Sequence, residues 1–345
     1  MKRHVNIPVF IPHLGCPNQC VFCNQRTISG VSEFKPENLR SIIDEALSTL
    51  DENTEAEIAF FGGSFTGIDF SLMTSLLEIA YSYVKLGMVK SIRCSTRPDY
   101  INEKILDTLK KYGVKVIELG LQSVSDEVLT LTKRGHGFHA EEHACRAIVE
   151  RGFTLVGQMM IGLPGSTKDS ELQTADFIIR AGASGARIYP TVVFKDTELC
   201  HMAQSGKYTP ISLDDAVERS ALVLDRFVSA GVEVIRIGLH ASENLSSPDT
   251  YFAGPNHPAL GELVLNKFYF NRIYNEASKM KLSPKTVLSV SVSHGALSKA
   301  VGQRRCNRLL LKEKLGILDV CFSESDRLVG YEILLTKEDE EKKCT

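Results

Sequence analysis

Three cysteines near the start of the chain have a spacing that suits iron-sulfur chemistry. Cys16, Cys20 and Cys23 lie in the segment CPNQCVFCNQ, which has the pattern C-x3-C-x2-C. Cysteine thiolates are the usual protein ligands of a 4Fe-4S cluster. Three thiolates leave the fourth iron of such a cluster without a protein ligand, so that iron can bind a small molecule. The spacing therefore predicts a cluster with one open coordination position.

Two other interpretations of the triplet remain open. A structural zinc site needs four ligands, and His13 lies near enough in sequence to complete a set of three cysteines and one histidine. Free cysteine is also among the residues most often buried in cores, so the three need not share a function. Gly15, Pro17, Asn18 and Gln19 are typical of a loop rather than a core helix. An irregular loop of this kind can wrap around a metal cluster.

With Phe22 directly before its last cysteine, the triplet resembles the signature of the radical S-adenosylmethionine (radical SAM) superfamily. The resemblance implies that Cys16, Cys20 and Cys23 hold a 4Fe-4S cluster. It also implies that the open iron binds the amino and carboxylate groups of S-adenosylmethionine, with Phe22 beside that cofactor. Two cofactors are therefore expected, the 4Fe-4S cluster and S-adenosyl-L-methionine.

The composition is typical of a soluble enzyme. The chain has 345 residues, a formal net charge of -2 and a pI near 6.5, so it lacks the overall charge of a nucleic-acid-binding protein. Its nine cysteines, scattered apart from the triplet, do not form a secreted-type disulfide framework. The first residues contain no signal-peptide run, and nowhere do about 18 apolar residues follow one another. We expect a cytoplasmic protein with no membrane association, of unknown oligomeric state.

Strand-like and helix-like segments alternate along residues 1–240. The strand candidates are residues 5–11, 57–61, 91–95, 114–121, 154–161, 186–193 and 232–237. Helical patterns separate them, and the clearest begins at Pro36, a favourable first helical position. This order predicts right-handed βαβ units around a parallel sheet. Together with the resemblance, it predicts an α/β fold in which a partial (β/α)6 TIM-type barrel forms the radical SAM core.

Glycines and polar residues follow successive strands, at the edge where a parallel sheet places its chemistry. The cysteine loop follows the first strand. The other candidates are Gly62, Gly63 and Ser64 after the second strand, Ser95 at the end of the third, Gln122 after the fourth, Gln158 in the fifth and Tyr189 in the sixth. None of them is specific alone, but their order predicts one site at the rim of the sheet.

The resemblance extends beyond the cysteines. Stretches of the elongator catalytic subunit family and, more distantly, of oxygen-independent coproporphyrinogen oxidases are similar to the runs GGSFTG, STRPDYI, IELGLQSVSDEVL, TKRGH, MMIGLP and RIYPTVVFKDTEL, within residues 5–240. The resemblance implies that the backbone of Gly62, Gly63 and Ser64 approaches the methionine amino group of the cofactor, which glycine permits because it has no side chain. It also implies that Gln122 and Arg134 reach the cofactor, where arginine can clamp a carboxylate.

Two positions depart from the patterns of these families. Ser95 stands where the elongator-like pattern has glutamate, so a contact to the cofactor ribose is weaker or comes from elsewhere. Gln158 stands where the oxidases carry an acidic residue, which argues against their second-cofactor arrangement. A structural role remains the alternative at both positions and at Arg134.

The pattern changes after His240, and we place a domain boundary there. Residues 241–345 are assigned to a small α/β module with a long helix from His294, and the charged tail KEDEEKKCT is expected to be disordered. A basic cluster in this module consists of Lys299, Arg304, Arg305, Arg308, Lys312 and Lys314, with Glu313 as the acid among them. The cluster could bind phosphates, and a solvated helix face is the alternative.

Three functions are consistent with these patterns. The first is a radical SAM enzyme that takes an electron from an external donor, cleaves S-adenosylmethionine to a 5′-deoxyadenosyl radical and abstracts hydrogen from a tRNA base. Acetyl-CoA chemistry is not transferred from the elongator family, because no acetyltransferase module fits after residue 240. The second is a radical SAM enzyme acting on a small molecule or tetrapyrrole. The third is a non-catalytic iron-sulfur or zinc protein. No catalytic residue is assigned; His13 and Tyr189 could assist the substrate step, and a packed tyrosine is the alternative for Tyr189.

Overall fold

The computed structural model describes residues 3–11, 14–16, 20–24, 34–239, 247 and 249–339. The strands in these residues are β1 (Arg3–Ile11), β2 (Thr54–Gly62), β3 (Ser91–Thr96), β4 (Val114–Gln122), β5 (Thr154–Ile161), β6 (Gly185–Pro190), β7 (Val193–Phe194), β8 (Glu233–Ile237), β9 (Tyr251–Ala253), β10 (Thr286–Val292), β11 (Asp319–Glu324) and β12 (Ile333–Asp339). The α-helices are α1 (Leu39–Ser48), α2 (Phe70–Lys85), α3 (Glu103–Lys111), α4 (Asp126–Leu131), α5 (Phe138–Glu150), α6 (Lys168–Arg180), α7 (Glu198–Gln204), α8 (Leu213–Ser229), α9 (Leu260–Ala277), α10 (Leu297–Val301) and α11 (Cys306–Leu315).

Seven of these strands form one parallel sheet in chain order, β1-β2-β3-β4-β5-β6-β8. Each successive pair is connected through at least one helix. Right-handed crossovers in a constant direction place those helices on one side, so the sheet curls into an open half barrel. The predicted α/β fold and partial TIM-type barrel are confirmed, and β8 matches the seventh strand candidate, which lies beyond the six strands of a (β/α)6 unit.

The two faces of this sheet differ in chemistry because successive residues of a strand point to opposite sides. The outer face, against the helices, is apolar and fully or almost fully buried at Ile7, Ile58, Phe60, Ile117 and Ile188. The inner face carries the polar side chains Glu57, Arg93, Glu118, Gln158 and Arg187, which hydrogen-bond to one another. The half barrel therefore has a polar interior.

The strand predicted over residues 186–193 is two strands in the structure. β6 ends at Pro190, which has no N–H, and Thr191 then donates its N–H and its hydroxyl to Ile161 O at 2.8 and 2.7 Å. The chain turns at this point, and β7 pairs antiparallel with β9.

The half barrel is the first unit of the fold, and the residues after β9 form a small α/β second unit. β10 pairs parallel with β11 and antiparallel with β12, and Arg272 of α9 donates to Asp225 of α8 at 2.7 Å. The single long helix expected from His294 is wrong, because Arg304 and Arg305 have left-handed φ angles of +51° and +62° between α10 and α11. The boundary placed after residue 240 lies outside the described residues and stays a prediction.

None of the helices in the described ranges combines the length and the apolar character needed to cross a bilayer.

Candidate functional site

The loop that carries the three cysteines is anchored next to Cys20. Val21 donates its backbone N–H to Thr132 O at 3.2 Å and accepts a hydrogen bond from the Leu199 N–H at 2.8 Å. The Val21 side chain is buried in a small apolar cluster, and Phe22 packs against the same cluster. Phe22, predicted to lie beside the cofactor, therefore also helps to hold the loop.

The cysteines differ in exposure, since Cys20 is buried and Cys16 and Cys23 are partly exposed. No three His, Cys, Asp or Glu side chains among the described residues converge closely enough to hold a single metal ion. Each thiolate on a 4Fe-4S cube binds a different iron, so its three sulfurs need not meet at one point. His13, the fourth ligand in the zinc interpretation, lies outside the described residues.

Backbone contacts join the turn after β2 to the cysteine loop. Gly63 donates its N–H to Ile11 O at 2.9 Å, and Ser64 donates its N–H to Leu14 O at 3.3 Å. Gly15 has a φ of +73°, and a Cβ atom at this position would lie 2.2 Å from Ser64 O. Only glycine permits such an approach. The turn predicted to contact the cofactor therefore also positions the cysteine loop.

The other two members of this turn are held by the protein. Gly62 ends β2 with a φ of +111°, and a Cβ there would lie 2.7 Å from Ile11 O. The buried Ser64 hydroxyl lies 2.8 Å from Thr96 Oγ1 and accepts the Arg97 N–H at 3.2 Å. The Ser64 hydroxyl is thus engaged within the protein, and contact of the turn's backbone with the cofactor stays a prediction.

Two guanidinium groups converge on the Cys20 thiol. Arg134 donates from Nη1 to Cys20 Sγ at 3.2 Å, and Arg97 donates from its Nη1 at 3.6 Å. Each arginine is only 4% exposed. A cysteine that binds metal does so as a thiolate, and these two guanidinium groups would compensate its negative charge. Burial raises the pKa of the neighbouring Cys16 thiol, and the charges of Arg97 and Arg134 partly oppose this rise.

A chain of polar groups holds Arg97 in place. Its Nε and Nη2 donate to the two carboxylate oxygens of Asp99 at 2.9 and 2.8 Å, and Nη2 also donates to the backbone carbonyl of Arg134. His136 lies between Asp99 and Glu141, at 3.5 and 3.4 Å. Burial alone would raise the pKa of Asp99, but the neighbouring His136 and the hydrogen-bonded guanidinium of Arg97 hold that pKa well below its usual range.

Glu141, the group farthest from Arg97 in this series, has a raised pKa. Glu141 is fully buried, and burial raises the pKa of its carboxyl to about 7 although His136 opposes the change. Burial would lower the pKa of His136, but the neighbouring carboxyl groups of Asp99 and Glu141 outweigh this effect, and the pKa is raised.

Gln122 and Arg134 meet at Gly120, and both have buried polar atoms without partners. Arg134 Nη2 donates to Gly120 O, and a Cβ on Gly120 would lie 3.0 Å from Gln122 Nε2. Gln122 has a φ of +73°, where the pairing of β4 with β5 is irregular. Within the described residues, Gln122 Oε1 and Arg134 Nε have no hydrogen-bond partner. Such atoms are uncommon, and they suit a polar ligand such as the amino-acid end of S-adenosylmethionine. The donor set therefore fits both expected cofactors.

Ser95 and Gln158 belong to the barrel interior. Gln158 Nε2 donates to Glu118 at 2.9 Å and makes a long contact of 3.5 Å to Ser95 Oγ. Glu118 also accepts from Arg93 at 3.1 Å and from Arg187 at 2.7 Å. These two candidates are thus placed in a network on the inner face, and their contact with the cofactor stays a prediction.

The basic cluster of the second unit is only partly available to a ligand. Arg308 is ion-paired with Asp319 at 2.6 Å. The exposed members of the cluster are Arg304, Arg305, Lys312 and Lys314. Two exposed leucines, Leu309 and Leu310, lie among them on α11.

The sequence analysis assigned no role to four residues around Cys20: Arg97, Asp99, His136 and Glu141. Three of them lie in STRPDYI and TKRGH, the runs that carry the family resemblance. The charged residues within those runs were a signal that could have identified these three residues. Glu141 has no such signal, because it lies in an ordinary helical pattern of α5.

Two family models match the chain. The radical SAM superfamily model matches residues 10–178, and the radical SAM C-terminal domain model matches residues 183–269. The first therefore includes the cysteine loop, the turn after β2, Arg97 and Arg134.

Curated relatives match between about a third and three fifths of the chain. Protein YhcC of Escherichia coli K12 is 26% identical over 215 residues, which are 58% of this chain and 67% of that protein. Elongator complex protein 3 of Homo sapiens is 33% identical over 190 residues, 54% of this chain and 34% of that protein. The tRNA uridine(34) acetyltransferase of Methanocaldococcus infernus is 32% identical over 130 residues, 36% of this chain and 24% of that protein. The matched segment thus spans about two thirds of the length of YhcC and about a third or less of the length of the other two relatives.

A solved structure supports the fold. The archaeal Elp3 of Methanocaldococcus infernus, with its N-terminus deleted, has a TM-score of 0.60 at 20% identity and covers 81% of this chain and 64% of its own. With two matching family models, this half barrel and a cysteine triplet at its rim, the chain belongs to the radical SAM superfamily of enzymes.

Proposed function

We propose that this radical SAM enzyme takes an electron from an external reductant, cleaves S-adenosylmethionine reductively and abstracts a hydrogen atom from a tRNA base. The observation that carries the first part is the placement of Arg97 and Arg134 on the Cys20 thiol, beside the unpartnered polar atoms of Gln122 and Arg134. One small region thus offers thiolate ligands, positive charge and hydrogen-bonding capacity.

When bound, the 4Fe-4S cluster supplies the electron that splits S-adenosylmethionine into methionine and a 5′-deoxyadenosyl radical. Cys16, Cys20 and Cys23 would hold three of its irons. Arg97 and Arg134 place two buried positive charges beside one of these sulfurs, which favours the more negative, reduced state of the cluster.

Other residues would orient the amino-acid end of the second cofactor. The Gly62–Ser64 turn presents backbone rather than side chain at the loop, and Gln122 Oε1 and Arg134 Nε provide an acceptor and a donor. A carboxylate suits an arginine N–H, and an ammonium group suits an amide oxygen. The open interior of the half barrel, beside this rim, would receive the substrate.

A tRNA substrate is supported by two observations. Curated relatives include a protein named for tRNA uridine 34, although it matches only 36% of this chain. The basic residues Arg304, Arg305, Lys312 and Lys314, close together in the sequence of the second unit, are all exposed. Phosphate groups would bind such residues with release of counterions.

The first test is anaerobic reconstitution with iron and sulfide, followed by analysis for 5′-deoxyadenosine under a strong reductant. We expect wild-type protein to release it, and Cys20→Ala to release none. Cys306→Ala is the matched control, because Cys306 lies on α11 outside the triplet and should leave turnover unchanged. If wild-type protein with its full content of iron and sulfide releases no 5′-deoxyadenosine, the proposed reaction is wrong.

The second test identifies the substrate class. Fractionated tRNA and small-molecule pools are added separately to the reconstituted enzyme, and 5′-deoxyadenosine release is followed. Stimulation by tRNA, with a mass change in one nucleoside after digestion, is the expected result. Stimulation by the small-molecule pool alone would contradict the tRNA part of the proposal and leave the radical chemistry intact.

A further inference from the structure

The inner face of the half barrel carries a charge network that is balanced within itself. Glu118 is fully buried, and it accepts hydrogen bonds from Arg93 at 3.1 Å and from Arg187 at 2.7 Å. Glu57 accepts from Arg93 Nε at 2.8 Å, and His4 Nε2 lies 2.9 Å from it. Two carboxylates therefore neutralise two arginines, as buried charges require.

Arg236 is a further cation in the same interior. It lies on β8 in register with Arg187 on β6, so both side chains point to the inner face. Its charge acts on Tyr189, the next inward residue of β6, together with that of Arg187. Arg236 is partly buried, and no hydrogen bond or ion pair connects it to any part of the chain that the structure describes.

An arginine that is partly desolvated and has no carboxylate beside it favours an anionic ligand. The nearby carboxylate of Glu118 is already saturated by Arg93, Arg187 and Gln158. The ligand anion would therefore meet the Arg236 guanidinium without competition from that carboxylate.

An aromatic surface lies next to this position. The Phe61 ring is 5.8 Å from the Arg187 guanidinium, and its centroid is 6.2 Å from that of Phe10. Phe10 and Phe61 are both partly exposed on the inner face, although they are large apolar residues. Arg187 connects the two groups, because its guanidinium lies against the Phe61 ring and its backbone pairs with that of Arg236 on the adjacent strand, at the usual strand spacing of about 4.8 Å. Phe61 and Arg236 are therefore both neighbours of Arg187 on the inner face.

We infer that the barrel interior contains a nucleotide subsite in which Arg236 binds the phosphate and Phe61 stacks on the base. This inference rests on the proposed function, because it describes the substrate of the same site. Aromatic stacking with a guanidinium on the phosphate is a common way to hold a single nucleotide. The phosphate belongs either to a nucleotide within an RNA strand or to a free nucleotide.

The test measures binding rather than turnover. Anaerobically reconstituted holoenzyme, with S-adenosylmethionine and without reductant, is titrated calorimetrically with uridine, uridine 5′-monophosphate and an anticodon stem-loop RNA. The variants are Arg236→Gln, Arg236→Lys and Phe61→Leu. Arg226→Gln is the matched control, since Arg226 lies on the outer helix α8 with 55% of its side chain exposed.

We expect Arg236→Gln to weaken binding of the nucleotide by about tenfold or more, as loss of a charge-assisted hydrogen bond does. Uridine binding should not change in this variant, Arg236→Lys should retain part of the nucleotide affinity, and Phe61→Leu should weaken uridine and its monophosphate alike. Arg226→Gln should behave as wild type. The cluster absorbance and the thermal midpoint of each variant show whether it has folded.

The outcomes separate the two sources of phosphate. If Arg236→Gln weakens binding of the stem-loop RNA alone, the phosphate belongs to an RNA strand. If it weakens binding of uridine 5′-monophosphate, the phosphate belongs to a free nucleotide. If folded Arg236→Gln binds every probe as wild type does, or if no probe binds wild type, the subsite does not exist. Absence of 5′-deoxyadenosine from wild type would instead contradict the proposed reaction, and the titrations would still decide the subsite.

Discussion

Arg134 donates a hydrogen bond to the Cys20 sulfur at 3.2 Å, although the two residues are 114 positions apart in the sequence. The contact ties the segment after α4 to the cysteine loop and puts a buried positive charge beside one predicted cluster ligand. With Arg97 on the same sulfur, it provides an electrostatic environment suited to a cluster that must be reduced.

Removal of the Arg134 charge should make the cluster harder to reduce. In Arg134→Gln, loss of one positive charge near the sulfur should lower the midpoint potential by on the order of 50 mV. Potentiometric titration followed by electron paramagnetic resonance measures this value. Arg146→Gln is the control, because Arg146 is exposed on α5. Equal potentials in Arg134→Gln and wild type would show that the arginine has no electrostatic role at the cluster.

The contact between Gly15 and Ser64 should be needed to assemble the site. In Gly15→Ala a Cβ would lie 2.2 Å from Ser64 O at a φ of +73°, so the cysteine loop must move. We expect less bound iron per chain after reconstitution and a lower thermal midpoint. Gly87→Ala separates the two causes, since Gly87 has a φ of +70° with no atom within 4 Å of the added Cβ. Backbone strain alone should cost about 1 kcal/mol there and leave iron content unchanged. Similar iron content in the two variants would contradict the positioning role.

Stability should fall as pH rises through neutrality because of Glu141. Its pKa is raised from 4.5 to about 7 in the folded protein by burial, so the folded state holds a proton that the unfolded chain releases. The contribution of this proton to the free energy of unfolding is complete below about pH 4.5 and is lost as the pH rises through about 7. The raised pKa of His136 acts in the same direction.

Urea unfolding of cluster-free protein between pH 5.5 and 8 should therefore show a decrease on the order of 1 to 3 kcal/mol in the free energy of unfolding. Glu141→Gln removes the titrating carboxyl and should flatten this dependence, whereas Glu142→Gln, at an exposed neighbour on α5, should not. An unchanged slope in Glu141→Gln would assign the effect to other groups.

RNA binding, if it uses the second unit, should depend on the exposed basic residues. The double variant Arg304→Glu and Lys312→Glu should weaken tRNA binding uniformly across sequences and reduce the salt dependence of binding, because each phosphate contact releases counterions. Filter binding at several salt concentrations measures both. Lys115→Glu with Lys168→Glu has the same charge change at exposed positions of the barrel and is the control. Equal losses in the two double variants would indicate a nonspecific charge effect.

Local patterns were sufficient for the architecture of the first unit. Alternating strand and helix periodicities predicted every strand of the parallel sheet, since these periodicities depend on neighbours a few residues apart. The break between Pro190 and Val193 and the interruption at Arg304 and Arg305 were not predicted, because there the chain conformation depends on contacts with distant segments.

The sequence by itself determined the chemistry: a cysteine triplet in a loop, glycines and polar residues at successive strand ends, and the runs that identify the family. Tertiary structure decided which groups meet. Arg97 and Arg134 reach the Cys20 sulfur, Gly15 packs on Ser64, and Arg236 lines up with Arg187 only when β1, β2, β3, β4, β6 and β8 are brought into one curved sheet. The physical reason is that spacing along the chain records local periodicity, whereas these hydrogen bonds, close approaches and charge balances arise between residues far apart in sequence.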